Sequence, residues 1–142
     1  MTYADESDLT AYFGSEQLLI AADRDGDGTA DTGVVSAAIS AAEEEIDSYV
    51  GVRYTLPLDD VPGVLTRVCC DLAMYHMSID SPSMTEQKET RYNNGIKWLT
   101  NLAKGIVTLG VTDETEDTKD TAVLSTDAPS RVFTRTKMGG LW

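Results

Sequence analysis

Apolar residues recur three or four positions apart over most of the chain between positions 33 and 106. That spacing places them on one face of an α-helix, and it repeats in three long segments, 33–49, 62–79 and 83–106. Prolines at 57 and 62 prevent one helix from running through the first two segments. Two shorter apolar segments, 8–13 and 16–22, come before them. The sequence therefore predicts an all-α fold, a small helical bundle of two short and three longer helices.

Serine residues in front of these segments are the expected helix caps. Ser7 and Ser15 precede the two short segments, where a serine side chain can accept a hydrogen bond from a backbone amide of the first turn. Ser83 is followed three positions later by Glu86, which is the pattern of a capping box. We therefore expect the last long helix to begin just after Ser83.

The composition changes near residue 107, where the helical pattern stops. Residues 108–142 are rich in threonine and acidic residues at first and end in the basic, apolar stretch SRVFTRTKMGGLW. We interpret 1–107 as the helical domain and 108–142 as a linker with an extended C-terminal arm. Such a tip is typical of a peptide that docks on another subunit, although it could also fold back on its own core or add a strand there. The candidate docking residues are Arg131, Val132, Phe133, Arg135, Met138, Leu141 and Trp142.

The net charge of the chain is −13. This argues against a protein that wraps nucleic acid, because such a protein needs cations to neutralise phosphates. An acidic wall that DNA slides past is compatible with the charge, and so is a simple requirement for solubility. No apolar run reaches the roughly 18 residues of a membrane span, and the acidic N-terminus does not have the pattern of a signal peptide. We therefore expect a protein made in the cytoplasm.

Few residues have the pattern of a catalytic site. Cys69 and His76 share a helix face, but seven positions separate them by about 10 Å, too far for direct proton transfer. Cys69 and Cys70 are adjacent, so a disulfide between them is strained, and we interpret both as small buried residues. The single histidine and the absence of a second cysteine pair leave a zinc site without ligands. The sequence does not predict an enzyme.

The stretch DRDGDGTAD, residues 23–31, matches part of a calcium-binding EF-hand loop. Its aspartates occupy the first, third, fifth and ninth ligand positions, and Gly28 occupies the sixth. The twelfth position needs a bidentate glutamate but is Val34, so we expect weak calcium affinity. A local role is sufficient, in which glycines permit the turn and Asp31 or Thr32 caps the next helix. The candidate ligands of a structural calcium ion are Asp23, Asp25, Asp27 and Asp31, and no other cofactor is expected.

Several longer phrases, taken in order, resemble a known protein family. They are YADESDLTAYFGSEQLLIAADRDGDGTAD, AEEEIDSYVGVRYTLPL, LTRVCCDLAMYHM, RYNNGIKWLTNLAKGIVTLGV and the terminal SRVFTRTKMGGLW. Together they resemble the adaptor, or connector, proteins that tailed phages of the Mu type place between the portal and the rest of the neck. The most specific phrases are AEEEIDSYVGVRYTLPL and RVFTR, and residues 111–128 carry no signal.

The resemblance implies a structural protein without catalytic activity. Similar proteins are helical adaptors that attach beneath the portal as a ring, usually dodecameric, and extend the DNA channel. The implied partners are the portal protein, neighbouring adaptor subunits and a neck or tail-completion protein, with DNA passing through unbound. The implied location is the neck of the virion. The arm from Arg131 to Trp142 is then the docking segment, and Glu43, Glu44 and Glu45 are candidates to face the channel. The alternative is a small calcium-binding helical module that uses the aspartate loop.

Overall fold

A computed structural model describes residues 1–111, and within that range the chain forms five α-helices and no strand. The helices are α1 (Glu6–Phe13), α2 (Ser15–Ala22), α3 (Thr32–Val50), α4 (Gly63–Ser78) and α5 (Glu86–Ala103). The predicted all-α bundle of two short and three longer helices is confirmed. The seven candidate docking residues of the C-terminal arm lie outside the described residues, so the arm and the domain division near residue 107 stay predictions.

Helix α4 is the centre of the bundle and packs against each of the other four helices. Its sequence, GVLTRVCCDLAMYHMS, is apolar on most sides, and nine of its residues are buried. Leu65, Leu72 and Met74 are almost fully excluded from solvent. Burial of a side chain of this size contributes about 1.5–3 kcal/mol. The breadth of the apolar stripe therefore explains why α4 is covered by several helices at once.

Helices α3 and α5 pack on α4 and on each other. Helix α3 directs Val35, Ile46 and other residues at spacings of three and four into the core. Helix α5 contributes Leu99 and Leu102, and its buried Gly95 lies against α4. A Cβ atom at position 95 would be only 3.0 Å from Leu72 Cδ1, so glycine permits the contact between the two helices.

The segment before α1 is part of the core, which the helical pattern did not indicate. Tyr3 and Ala4 are buried. The Tyr3 backbone N–H donates to Glu43 Oε1 at 3.0 Å, and its hydroxyl donates to the Asp47 carboxylate. These bonds attach the N-terminus to α3, forty residues further along the chain. The aromatic ring and the two acceptors were visible in the sequence, but only the tertiary fold brings them together.

The predicted serine caps are wrong. Helix α1 is capped by Asp5, whose side chain accepts a hydrogen bond from the backbone N–H of Asp8. The Asp8 side chain in turn accepts a hydrogen bond from the backbone N–H of Asp5. Gly14, not Ser15, precedes α2, and no side chain caps it. Helix α5 is capped by Thr85, because hydrogen-bonded turns occupy residues 78–84 and delay the start of the helix. The Ser83 hydroxyl therefore does not cap the helix, and it is buried without a hydrogen-bond partner among the described residues.

Candidate functional site

The aspartate loop, residues 23–31, is held in its turn by hydrogen bonds to its own side chains. Asp23 accepts hydrogen bonds from the backbone N–H groups of Gly26 at 2.6 Å and Gly28 at 3.1 Å. Both glycines have positive φ, of 77° and 84°, which favours glycine there. Asp27 accepts from the hydroxyl and the backbone N–H of Thr29, and these bonds hold the pKa of Asp27 below its usual value. The loop thus has local bonds sufficient to define its turn.

Three of the four candidate metal ligands lie together. One carboxylate oxygen from each of Asp23, Asp25 and Asp27 lies within 4.8 Å of the other two. Asp31 is not part of this group, and its Oδ2 accepts from the Arg24 backbone N–H at 2.9 Å. Asp31 is also the residue before α3, but its side chain does not cap that helix, contrary to the expectation for it. The loop therefore offers three clustered carboxylates, which is fewer oxygen ligands than calcium prefers.

The three consecutive glutamates of α3 have different surroundings. Glu44 is exposed, whereas Glu43 and Glu45 are half-buried. Glu43 accepts from the Tyr3 backbone N–H at 3.0 Å, and Glu45 is bonded to residues of α4 and α5. Of the three candidates to face a DNA channel, Glu44 is therefore the one whose carboxylate is most open to solvent.

Glu45 connects the three long helices. Its Oε2 lies 3.1 Å from His76 Nε2 of α4, and its Oε1 accepts from the Tyr92 hydroxyl of α5 at 2.9 Å. The Tyr92 ring stacks on Tyr75 with centroids 4.0 Å apart. Burial and the bond to Glu45 raise the pKa of Tyr92 to about 12. The histidine therefore belongs to a structural network rather than standing alone on an apolar face.

The two cysteines are free and buried, as the sequence predicted. Burial raises the pKa of both Cys69 and Cys70 to about 12. A thiol with such a pKa is protonated near neutral pH and is a poor nucleophile. Of the helices that the structure describes, none is long and apolar enough to cross a membrane.

The sequence matches the protein family described as Bacteriophage Mu, Gp36, over residues 3–126. The chain belongs to the Gp36 family. Gene product J of Escherichia phage Mu is 32% identical over 143 residues, which cover 98% of this chain and 99% of that protein. The Mu-like prophage FluMu protein gp36 of Haemophilus influenzae is 40% identical over 86 residues, 61% of this chain and 60% of that protein. The predicted relationship to a Mu-type phage protein is confirmed.

The segment matched by the Gp36 family contains all five helices and the aspartate loop. The candidate docking residues lie after residue 126, beyond that segment, although the alignment with phage Mu gene product J covers almost the whole chain. The adaptor role, the ring and the portal contact stay predictions for this Gp36 protein.

Proposed function

We propose that this chain is a structural adaptor of a Mu-type phage that joins the portal to the neck as a ring. The observation that carries the proposal is the end-to-end similarity to a phage Mu protein, over 98% of the chain. The phrase AEEEIDSYVGVRYTLPL, which is specific to the adaptor resemblance, forms the second half of α3 and the loop after it. The adaptor resemblance therefore includes a structural element of the core and not only surface composition.

The charge of the helical body suits the wall of a DNA channel. Residues 1–107 carry 18 acidic residues and 7 basic ones, and an acidic wall repels phosphates, so DNA can move past it without binding. Glu44 is the proposed channel-facing residue because it is exposed, while its two neighbours are bonded within the chain. The high thiol pKa of Cys69 and Cys70 also fits a structural role better than a catalytic one.

The C-terminal arm from Arg131 to Trp142 is the proposed portal-docking segment. The test is co-sedimentation of the chain with the portal ring of the phage that encodes it, using the intact chain and a chain truncated after Asp127. Binding by the intact chain alone supports both the adaptor role and the arm. Equal binding by both chains keeps the adaptor role but moves the contact to the helical body. No binding by either, with an intact portal ring, overturns the proposal.

A variant of full length tests whether portal binding depends on the docking side chains themselves or only on the presence of the arm. The triple substitution Arg131→Ser, Phe133→Ser and Trp142→Ser is expected to lower portal binding at least tenfold, because aromatic and arginine side chains supply most of the energy of such contacts. The matched control carries Asp113→Asn, Glu114→Gln and Glu116→Gln in the preceding linker. Its binding is expected to change less than about threefold, since rim or linker charges contribute little. Similar losses in both variants would remove the specific role of the arm.

A structural cation in the aspartate loop is a second candidate function. The clustering of the Asp23, Asp25 and Asp27 carboxylates within 4.8 Å favours it, while the local hydrogen bonds of the loop and the valine at the glutamate position predict weak affinity. A site with a dissociation constant of about 1 mM would stabilise the fold by about 1.4 kcal/mol at 10 mM calcium.

The test is the unfolding free energy in calcium, in magnesium and in EDTA. Asp25→Asn with Asp27→Asn is expected to abolish any calcium stabilisation, and the control, Asp59→Asn with Asp60→Asn in another exposed loop, is expected to retain it. A curve that is identical in 10 mM calcium and in EDTA would make the loop a purely hydrogen-bonded turn.

A further inference from the structure

A groove runs between α4 and α5 on the surface of the bundle, with Gly95 at its floor. The side chains that the argument uses are Val64, Arg67 and Asp71 of α4 and Arg91, Asn94 and Trp98 of α5. Trp98 is half-buried and Val64 is 39% exposed. Tryptophan and arginine dominate the binding energy at the centres of protein interfaces. This α4–α5 groove therefore has the composition of a docking site.

The α4–α5 groove is positively charged within an acidic protein. It holds two guanidinium groups and one carboxylate, with Arg91 Nη1 3.7 Å from Asp71 Oδ1. Burial raises the pKa of Asp71, against the opposing effect of Arg91 and Arg67. Arg67 and Arg91 are both exposed. An acidic partner is therefore the one that the groove attracts.

The part of the chain before α4 has the opposite balance of charge. Residues 1–60, which include α1, α2 and α3, contain fourteen acidic residues and two basic ones, whereas residues 61–111, with α4 and α5, contain four acidic residues and five basic ones. The net charges of the two halves are thus −12 and +1. Glu6 and Glu16 are exposed on the acidic half. One copy therefore offers both members of a complementary pair of surfaces.

We propose that the α4–α5 groove receives the acidic α1–α3 side of a second copy of this chain. The contact is heterologous, since one surface of each copy meets a different surface of the next, and contacts of this kind close into rings when the rotation allows. The inference rests on the proposed function, because it supplies the contact between neighbouring adaptors. The attraction between Arg67, Arg91 and the neighbour's carboxylates offsets part of the repulsion between two acidic chains.

Photo-crosslinking of the full chain tests the occupant of the groove. Asn94→Cys in the groove is labelled with benzophenone maleimide, and Asn93→Cys, an exposed asparagine next to it that does not line the groove, is the matched control. The native thiols are buried with a pKa of about 12 and remain unlabelled. Mixing ¹⁵N-labelled and unlabelled chains distinguishes adducts between copies. We expect position 94 to yield several times more inter-copy adduct than position 93, at peptides within residues 1–60.

Charge reversal tests the electrostatic part. Arg67→Glu with Arg91→Glu is expected to reduce the inter-copy adduct at least tenfold, whereas Lys97→Glu with Lys104→Glu, an equal charge change at exposed sites outside the groove, is expected to reduce it less than threefold. Arg91 also lies 5.3 Å from the Phe13 ring centroid, so the melting temperature is measured for each variant. Arg67→Glu alone, at an exposed position, gives a second test that does not disturb that contact.

Four results would overturn the inference: an adduct from position 94 to residues 112–142 of the same chain, an adduct to α4 or α5 of the second copy, no excess over position 93, or equal losses in both charge variants.

Co-sedimentation of the same variants with the portal ring separates this inference from the proposed function. Portal binding without groove adducts would refute the groove alone. Groove adducts without portal binding would refute the adaptor role and leave the contact between copies.

Discussion

Gly95 lies where α5 packs on α4, and its missing side chain is required there. Alanine favours a helix over glycine by about 1 kcal/mol, but a Cβ at this position would meet Leu72 Cδ1 at 3.0 Å and Val68 Cγ1 at 3.5 Å. Leu72 is fully buried and has little room to move, and overpacking costs about 1–3 kcal/mol. We therefore expect Gly95→Ala to lower the free energy of unfolding by about 1 kcal/mol, measured by urea denaturation at pH 7.

Gly33 in the first turn of α3 is the matched control, because a Cβ there would meet no atom of the described part of the chain within 4 Å. Gly33→Ala is expected to stabilise the protein by about 0.5 kcal/mol through helix propensity alone. Stabilisation by both substitutions would mean that the core around Leu72 adjusts freely, and the steric account of Gly95 would be wrong.

Among the described residues, Tyr92 and His76 are the two side chains that contact the Glu45 carboxylate. Tyr92→Phe removes the 2.9 Å hydrogen bond to Glu45 Oε1 and keeps the ring that stacks on Tyr75. Because the carboxylate is half-buried, we expect a loss of about 1 kcal/mol of unfolding free energy in a denaturation experiment. Tyr12→Phe, at a tyrosine that is 48% exposed, should change the free energy by less than about 0.5 kcal/mol. If both substitutions changed the unfolding free energy equally, the hydrogen bond between Tyr92 and Glu45 would make no measurable contribution to stability.

At the scale of single elements, Ser83 and Thr85 are both candidate caps of α5 in the sequence, but only Thr85 caps the helix in the structure. Thr85 accepts from the Lys88 backbone N–H at 3.3 Å, and Thr85→Ala is expected to cost about 1 kcal/mol of unfolding free energy. Ser83→Ala removes a buried hydroxyl that makes no hydrogen bond within residues 1–111, so we expect no loss and a slight gain. Thermal or urea unfolding of the two variants checks this order. The reverse order would restore Ser83 as the cap.

The helices were predictable from the sequence because each long helix has one apolar stripe of period 3.6 and each is separated from the next by residues that favour turns. The first residue of each helix was harder to predict from the sequence. Ser81, Ser83 and Thr85 all precede α5, and the turn geometry of residues 78–84, which the sequence pattern does not reveal, selects Thr85. The role of Asp5 was missed for a similar reason, since Ser7 is an equally good cap residue two positions later.

The candidate site could be predicted only in part. The clustering of Asp23, Asp25 and Asp27 follows from their alternate spacing in one short loop. The bond between Asp31 and the Arg24 backbone depends on how the loop returns to α3, and so it was not foreseen. The α4–α5 groove depends on the rotation of two helices about their axes. Its only local signal is Gly95, a glycine inside a helical pattern, which often indicates close packing.

At the scale of the whole molecule, buried thiols make the fold sensitive to alkaline pH. In the unfolded chain a cysteine ionises near pH 9, whereas burial raises the pKa of Cys69 and Cys70 in the folded protein to about 12. Their contribution to stability is complete below pH 9 and is lost as the pH rises from 9 towards 12, because unfolding then releases protons. Each thiol lowers the unfolding free energy by at most about 1.4 kcal/mol for each unit that the pH rises in this range. We expect the two thiols together to lower the unfolding free energy by about 2–3 kcal/mol between pH 8 and pH 10.

The double variant Cys69→Ala with Cys70→Ala isolates this effect from the other buried groups. Burial lowers the pKa of Lys88, which opposes the thiols over the same pH range, and the raised pKa values of Tyr3 and Tyr92 act mainly above pH 10. All three groups remain in the variant, so the difference in slope between the two proteins is assigned to the cysteines. Urea denaturation under reducing conditions at pH 8, 9 and 10 should give a clear fall for the natural chain and a much flatter curve for the variant. Parallel curves would show that the thiols ionise as readily in the folded protein as in the unfolded one, and the packing of α4 at the centre of the bundle would then be more open than its burial indicates.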